Sequence, residues 1–128
     1  MNTNYMRVGN EKQLGQKTAV VYIRTVSSES SLEHSEAQLK SIKEFAETNN
    51  IKIKFVYKDL CVSSFNSYYQ KGLDELLDKV ENSKIDYVLV TDHSRISRNP
   101  STYISVENRL LRTGAQILPI SKAKGSLQ

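Results

Sequence analysis

Three short clusters of arginine, serine and acidic residues hold most of the chemistry that this sequence offers. The first is Arg24 with Ser27 and Ser28, in "YIRTVSS"; the second is Asp59 with Ser63 and Ser64; the third is His93, Ser94, Arg95, Ser97 and Arg98. A guanidinium presents a planar fork of donors that matches the oxygens of a phosphate, and a serine hydroxyl adds a further donor or a nucleophile. Arg95 and Arg98 are three residues apart, a spacing that points both the same way on one helical turn. Taken singly, an arginine in such a place is usually solvated surface. Several beside serines on one edge point instead to a shared phosphate.

Other chemistries find less support. There is no Gly-rich strand-to-helix turn, so neither a Walker phosphate loop nor a dinucleotide fingerprint can be drawn. His34 and His93 lack metal-ligand spacing, and no metal or cofactor is expected. Tyr68 and Tyr69 read as partly buried anchors before they read as a base-stacking pair, and the lysines of "KIKFVYK" read as a solvated edge. The one cysteine, Cys61, has no evident activating partner and reads as a packed small residue. It excludes an internal disulfide, so a reducing cytoplasm is the expected compartment. A net charge of +4 permits nucleic acid as a partner without requiring it. No apolar stretch approaches the roughly 18 residues of a membrane span, and no membrane partner is expected.

The elements that must position these clusters follow from periodicity. At 128 residues the chain fits one domain. Residues 1–17 show no apolar period and read as a mobile leader before a domain spanning 18–121. "TAVVYIR" reads as a buried strand, and a helix capped by Ser30 or Ser31 then runs to about Asn50, with Leu39, Ile42, Phe45 and Ala46 on one face. "IKIKFVY" alternates apolar residues with lysine, as an edge strand does. After Asp59 a serine-rich loop leads to a short helix from about Lys71, with Leu73, Leu76, Leu77 and Val80 at helical spacing. "IDYVLVTD" reads as a central strand. A helix over about Ser101–Arg112 starts behind Pro100 and ends at Gly114, and "AQILPI" is a last strand that Pro119 makes short or peripheral.

Strands alternating with helices imply βαβ crossovers and a mostly parallel sheet. Ligands of such sheets bind beyond the carboxyl ends of the strands, where Arg24, Asp59 and residues 92–98 all fall. A receiver-type module is the competing α/β reading, with Asp59 as phosphoacceptor. The acidic pair expected after its first strand is missing, because Arg24 and Thr25 stand there.

On these residues the chain resembles the catalytic domain of serine site-specific recombinases, the resolvase, invertase and large integrase group. The resemblance covers about residues 18–121. It rests on "YIR" at the first strand end, "SEAQLKSIKEFA" in the first helix, "YKDLCVSS" after the second strand and "SRISRN" after the third. It implies a three-layer α/β/α resolvase-like domain with a mostly parallel sheet of four to five strands. It implies an enzyme of DNA recombination that cleaves and rejoins double-stranded DNA through a covalent 5′-phosphoserine intermediate, without metal or nucleotide. It further implies a mobile-element origin, a homodimer or tetramer of the full-length protein, and 122–128 as the truncated start of a dimerising helix region. Arg24, Arg95 and Arg98 match the family's catalytic arginines, Gln38 the glutamine of the first helix, and Asp59 and Ser63 the residues that orient arginines and phosphate.

The chain departs from the family pattern around the same phosphate. Val26 occupies the usual serine position, so Ser27, the nearest downstream hydroxyl, becomes the expected nucleophile, provided the strand bulges or ends at Thr25. Ser28 would restore the strand parity of Val26 at a greater distance. Gln70 stands where an arginine is usual, with Lys71 beside it to keep the charge, and Ser94 stands where aspartate is common, with Asp92 two residues before it. These departures open the alternative of a catalytically impaired domain that serves DNA binding or subunit contacts.

Overall fold

Five consecutive residues, Ala19 to Ile23, have no solvent exposure at all, as a strand with neighbours on both edges and helices on both faces requires. They lie in β1 (Lys17–Val26), the second strand of the sheet. The computed structural model describes residues 15–26, 31–62 and 70–122, without the side chains of 61 and 62. Among them the order is β1, α1 (Ser31–Thr48), β2 (Ile51–Val62), α2 (Lys71–Glu81), β3 (Tyr87–Val90), a 3₁₀ turn (His93–Arg95), α3 (Pro100–Leu111) and β4 (Gln116–Pro119). The described strands pair in parallel in the order β2-β1-β3-β4.

Alternation along β1 divides the core into two layers. Ala19, Val21 and Ile23 pack with Ile42, Phe45 and Ala46 of α1. Val20 and Tyr22 pack on the other side with Leu73, Leu76, Leu77 and Val80 of α2 and with Val106 and Leu110 of α3. The result is the α/β/α domain that the resemblance implied, with a four-stranded sheet. The helix bounds fall within about two residues of those read from periodicity.

Three details differ from expectation. The strand begins at Lys17, one residue inside the expected leader, while residues 1–14 and 123–128 lie outside the described residues. β2 does not stop near Tyr57 but pairs with β1 as far as Val26↔Val62, so Asp59 lies within the strand and not after it. The pairing holds two irregularities, and at both the extra residue is in β2: Ala19↔Ile53 is followed by Val20↔Phe55, and Arg24↔Asp59 by Val26↔Val62. β1 therefore continues as regular strand through Val26, and the bulge that Ser27 was expected to need lies in its neighbour. Bulges and exposed Lys52, Lys54 and Lys58 also suit the edge position of β2, because they discourage pairing with another chain.

Local chemistry fixes the helix starts. Asn99 Oδ1 accepts from the backbone N–H of Ser101 at 2.9 Å and of Thr102 at 3.3 Å, ahead of Pro100 in the first turn of α3. Gly72 lets α2 approach β2, since a Cβ there would stand 2.6 Å from the Lys58 carbonyl oxygen. Gly114, at φ +89°, reverses the chain after α3. No described helix is long and apolar enough to cross a membrane.

Candidate active site

Arg24 leaves β1 almost fully buried, at 2% exposure, and the structure assembles the candidate site around it. Its Nη2 donates to the Ser94 carbonyl at 2.9 Å. Its own carbonyl accepts from Gln38 Nε2 of α1 at 3.0 Å and from Arg95 Nη1 at 2.9 Å. One residue thus joins the end of β1, the first helix and the 3₁₀ turn after β3. The guanidinium groups are aimed by main-chain carbonyls, which orient a donor without neutralising it.

Arg24 and Arg95 meet through the Arg24 carbonyl, and the charge of Arg98 is near enough to act on Arg24. Burial lowers the Arg24 pKa from its ordinary value, and the positive charges of Arg98 and Arg95 act in the same direction, against opposing contributions from Tyr22 and Asp59. Among the described residues neither Arg24 nor Arg98 forms an ion pair, whereas Arg95 Nε lies 3.7 Å from Asp92 Oδ2. Cations held near one sheet end attract anions, and a guanidinium fork is matched to the oxygens of a phosphate. The 3₁₀ turn ends at Arg95, so Arg95 and Arg98 do not share the helical turn that their spacing suggested. Ile96, fully buried between them, anchors the segment, and Arg98 lies beyond it on the surface.

The other sequence-derived residues divide sharply. Gln38 is at the site, with its Oε1 buried and unpartnered among the described residues. Ser94 contributes its carbonyl to Arg24, while its hydroxyl and its N–H bond to Asp92. Asp59 has a different employment. It accepts from the Tyr22 hydroxyl at 2.7 Å and from the N–H groups of Gly72 and Leu73 at 2.8 and 3.0 Å, so it anchors the start of α2. Lys71 is exposed on the first turn of that helix. Ser27 and Ser63 lie outside the described residues, as does Ser28.

Gln70, noted in the sequence only as a missing arginine, is buried at the centre of a second network. Its Nε2 donates to the Tyr22 hydroxyl at 2.7 Å and to the Ile96 carbonyl at 3.1 Å, tying α2 to β1 and to the arginine segment. Burial and the bond to Asp59 raise the Tyr22 pKa, so the phenol stays protonated and donates. His93 is exposed, with its ring edge-on to Tyr103 of α3 at 5.8 Å.

Residues 19–126 match the family described as Resolvase, N terminal domain. The chain belongs to the resolvase family, as a serine recombinase catalytic domain. It is 31% identical to the C-terminal catalytic domain of ISC1926 TnpA, an IS607-like serine recombinase, over 81% of this chain and 70% of that one, with a TM-score of 0.71. The N-terminal catalytic domain of TP901-1 integrase shares the fold at 19% identity, over 83% of this chain and 78% of that one, with a TM-score of 0.72. So does a resolvase family site-specific recombinase from Streptococcus pneumoniae, at 19% identity over 85% and 75%, with a TM-score of 0.69. No curated protein matches the chain.

Proposed function

We propose that this resolvase domain cleaves and rejoins double-stranded DNA, with Ser27 as the nucleophile of a covalent 5′-phosphoserine intermediate. The observation that supports the reading is the joining of Arg24 and Arg95 at one strand end, with Arg24 buried and held by the Ser94 carbonyl and the charge of Arg98 acting on it. The serine oxygen bonds to phosphorus, the bond from phosphorus to the 3′ oxygen breaks, and the serine proton ends on that 3′ hydroxyl. Reversal by a 3′ hydroxyl rejoins the strand. The arginines stabilise the charge that builds on the phosphoryl oxygens, and the covalent link conserves the bond energy.

Reach favours Ser27, and because β1 stays regular through Val26 the reading requires the chain to turn at Ser27 itself. Ser27 directly follows β1, and at no more than about 3.6 Å per residue its backbone stays within about 11 Å of that of Arg24. An arginine side chain and one phosphate together bridge that span. Assembly follows the same reading: a homodimer or tetramer of the full-length protein brings the DNA partners together. The test is to incubate the full-length protein with its recombination-site DNA and resolve covalent adducts on a denaturing gel. Wild type forms an adduct and Ser27→Ala does not; an adduct from Ser27→Ala removes Ser27 from the role.

A second reading, a domain that binds DNA without cutting it, is favoured by Gln70. Its amide is committed to Tyr22 and Ile96, where the family pattern has a cation. A shift of the same DNA on a native gel, with no adduct on the denaturing gel, selects this reading.

A further inference from the structure

The segment between β3 and α3 holds a carboxylate that the strand-cleavage reading leaves without a part. Asp92 Oδ1 accepts from the Ser94 N–H at 3.1 Å and from the Ser94 hydroxyl. Asp92 Oδ2 accepts from Thr91 Oγ1 at 3.4 Å and stands 3.7 Å from Arg95 Nε. The contacts continue in a closed circuit. Arg95 Nη1 donates to the Arg24 carbonyl, Arg24 Nη2 donates to the Ser94 carbonyl, and Ser94 returns to Asp92.

Capping the 3₁₀ turn needs only one acceptor oxygen, and asparagine caps about as well as aspartate. Asp92 does more, because its second oxygen faces a guanidinium that its cationic neighbours repel. Burial works against its ionisation, yet the Ser94 hydroxyl and the Arg95 guanidinium hold its carboxyl below the usual value. At 3.7 Å the carboxylate acts on the Nε side of Arg95 through charge, beyond hydrogen-bond reach, and so offsets that repulsion.

We propose that Asp92 is a positioning residue for Arg95, holding one side of its guanidinium so that the rest of the fork meets the scissile phosphate. Ser94 completes the device by clamping the carboxylate from its own N–H and hydroxyl. This inference rests on the recombinase reading for its catalytic consequence, but not for its geometry.

Asp92→Asn separates the two roles, since it keeps a cap acceptor and removes the charge. The protein is tested by two measurements on wild type, Asp92→Asn, Arg95→Gln and the double variant, each first shown to melt as a folded domain. In nitrogen-15 NMR, Asp92→Asn is expected to displace the Arg95 Nε–Hε resonance, and Asp92→Glu to restore it in part. In the adduct assay, Asp92→Asn is expected to slow cleavage on the order of 10- to 100-fold, the scale of a catalytic group misplaced by about 1 Å. In the Arg95→Gln background it should cost nothing more, because a residue acting through Arg95 has nothing left to position. An unmoved Arg95 resonance, or an equal loss in both backgrounds, overturns the proposal. If wild type forms no adduct, the recombinase reading fails, and the resonance alone decides whether Asp92 holds Arg95.

Discussion

Replacing Asp59 with alanine distinguishes the structural account of that residue from the role its place in the family pattern suggests. The side chain receives the hydroxyl of the fully buried Tyr22 and the first-turn N–H groups of Gly72 and Leu73. Loss of a helix cap costs about 1 kcal/mol. Leaving the buried Tyr22 hydroxyl without its charged acceptor adds about 2 kcal/mol. Asp59→Ala should therefore destabilise the domain by about 3 kcal/mol. At about 4 °C per kcal/mol for a domain of this size, that corresponds to a Tm lower by about 12 °C. Urea unfolding followed by circular dichroism measures it, with the midpoint falling and the m-value unchanged. In a Tyr22→Phe background the same substitution should cost only the cap, about 1 kcal/mol, because the two side chains share one bond. A loss below about 1 kcal/mol in the wild-type background refutes the anchoring role. Intact stability with lost DNA cleavage would instead place Asp59 among the groups that orient the arginines.

Arg24→Lys keeps the charge but not the fork that reaches Ser94 and a phosphate together, and cleavage should fall about 100- to 1,000-fold, measured as adduct formed per unit time. Gly72→Ala places a methyl 2.6 Å from the Lys58 carbonyl oxygen and should cost about 1–3 kcal/mol in the same urea assay. Asp92 has its folded pKa below the unfolded value, so its contribution to stability is present above about pH 4 and is lost as pH falls through the folded pKa. Asp92→Asn should flatten the fall in Tm below about pH 4.

The layered fold was legible because burial dictates periodicity. β1 and β3 lie inside the sheet and carry unbroken apolar runs, Ala19–Ile23 and Tyr87–Val90, while β2 lies at an edge and alternates with lysine. The full length of β2 was not, because its later residues pair through a bulge that breaks the alternation. The approach of Arg95 to Arg24 was also legible, since parallel strands bring their carboxyl ends to one edge. What aims those arginines was hidden: the Arg24 and Ser94 carbonyls are main-chain groups that any residue supplies. The anchoring contacts of Asp59 were hidden for a related reason. Its partners at the start of α2 come near only because Gly72 permits close packing, a contact that no local spacing announces. Pro100, by contrast, marked the start of α3 in the sequence, as the first turn of a helix accepts proline.

The proposed part of the arginine cluster is to serve a serine beside it in attack on DNA phosphate. Mass spectrometry of the full-length protein after it meets its site maps the residue that stays bonded to DNA. A nucleotide remnant is expected on the peptide carrying Ser27, absent when Arg24 is replaced by alanine. A remnant on a residue remote from Arg24, or one that persists unchanged in Arg24→Ala, would contradict that part.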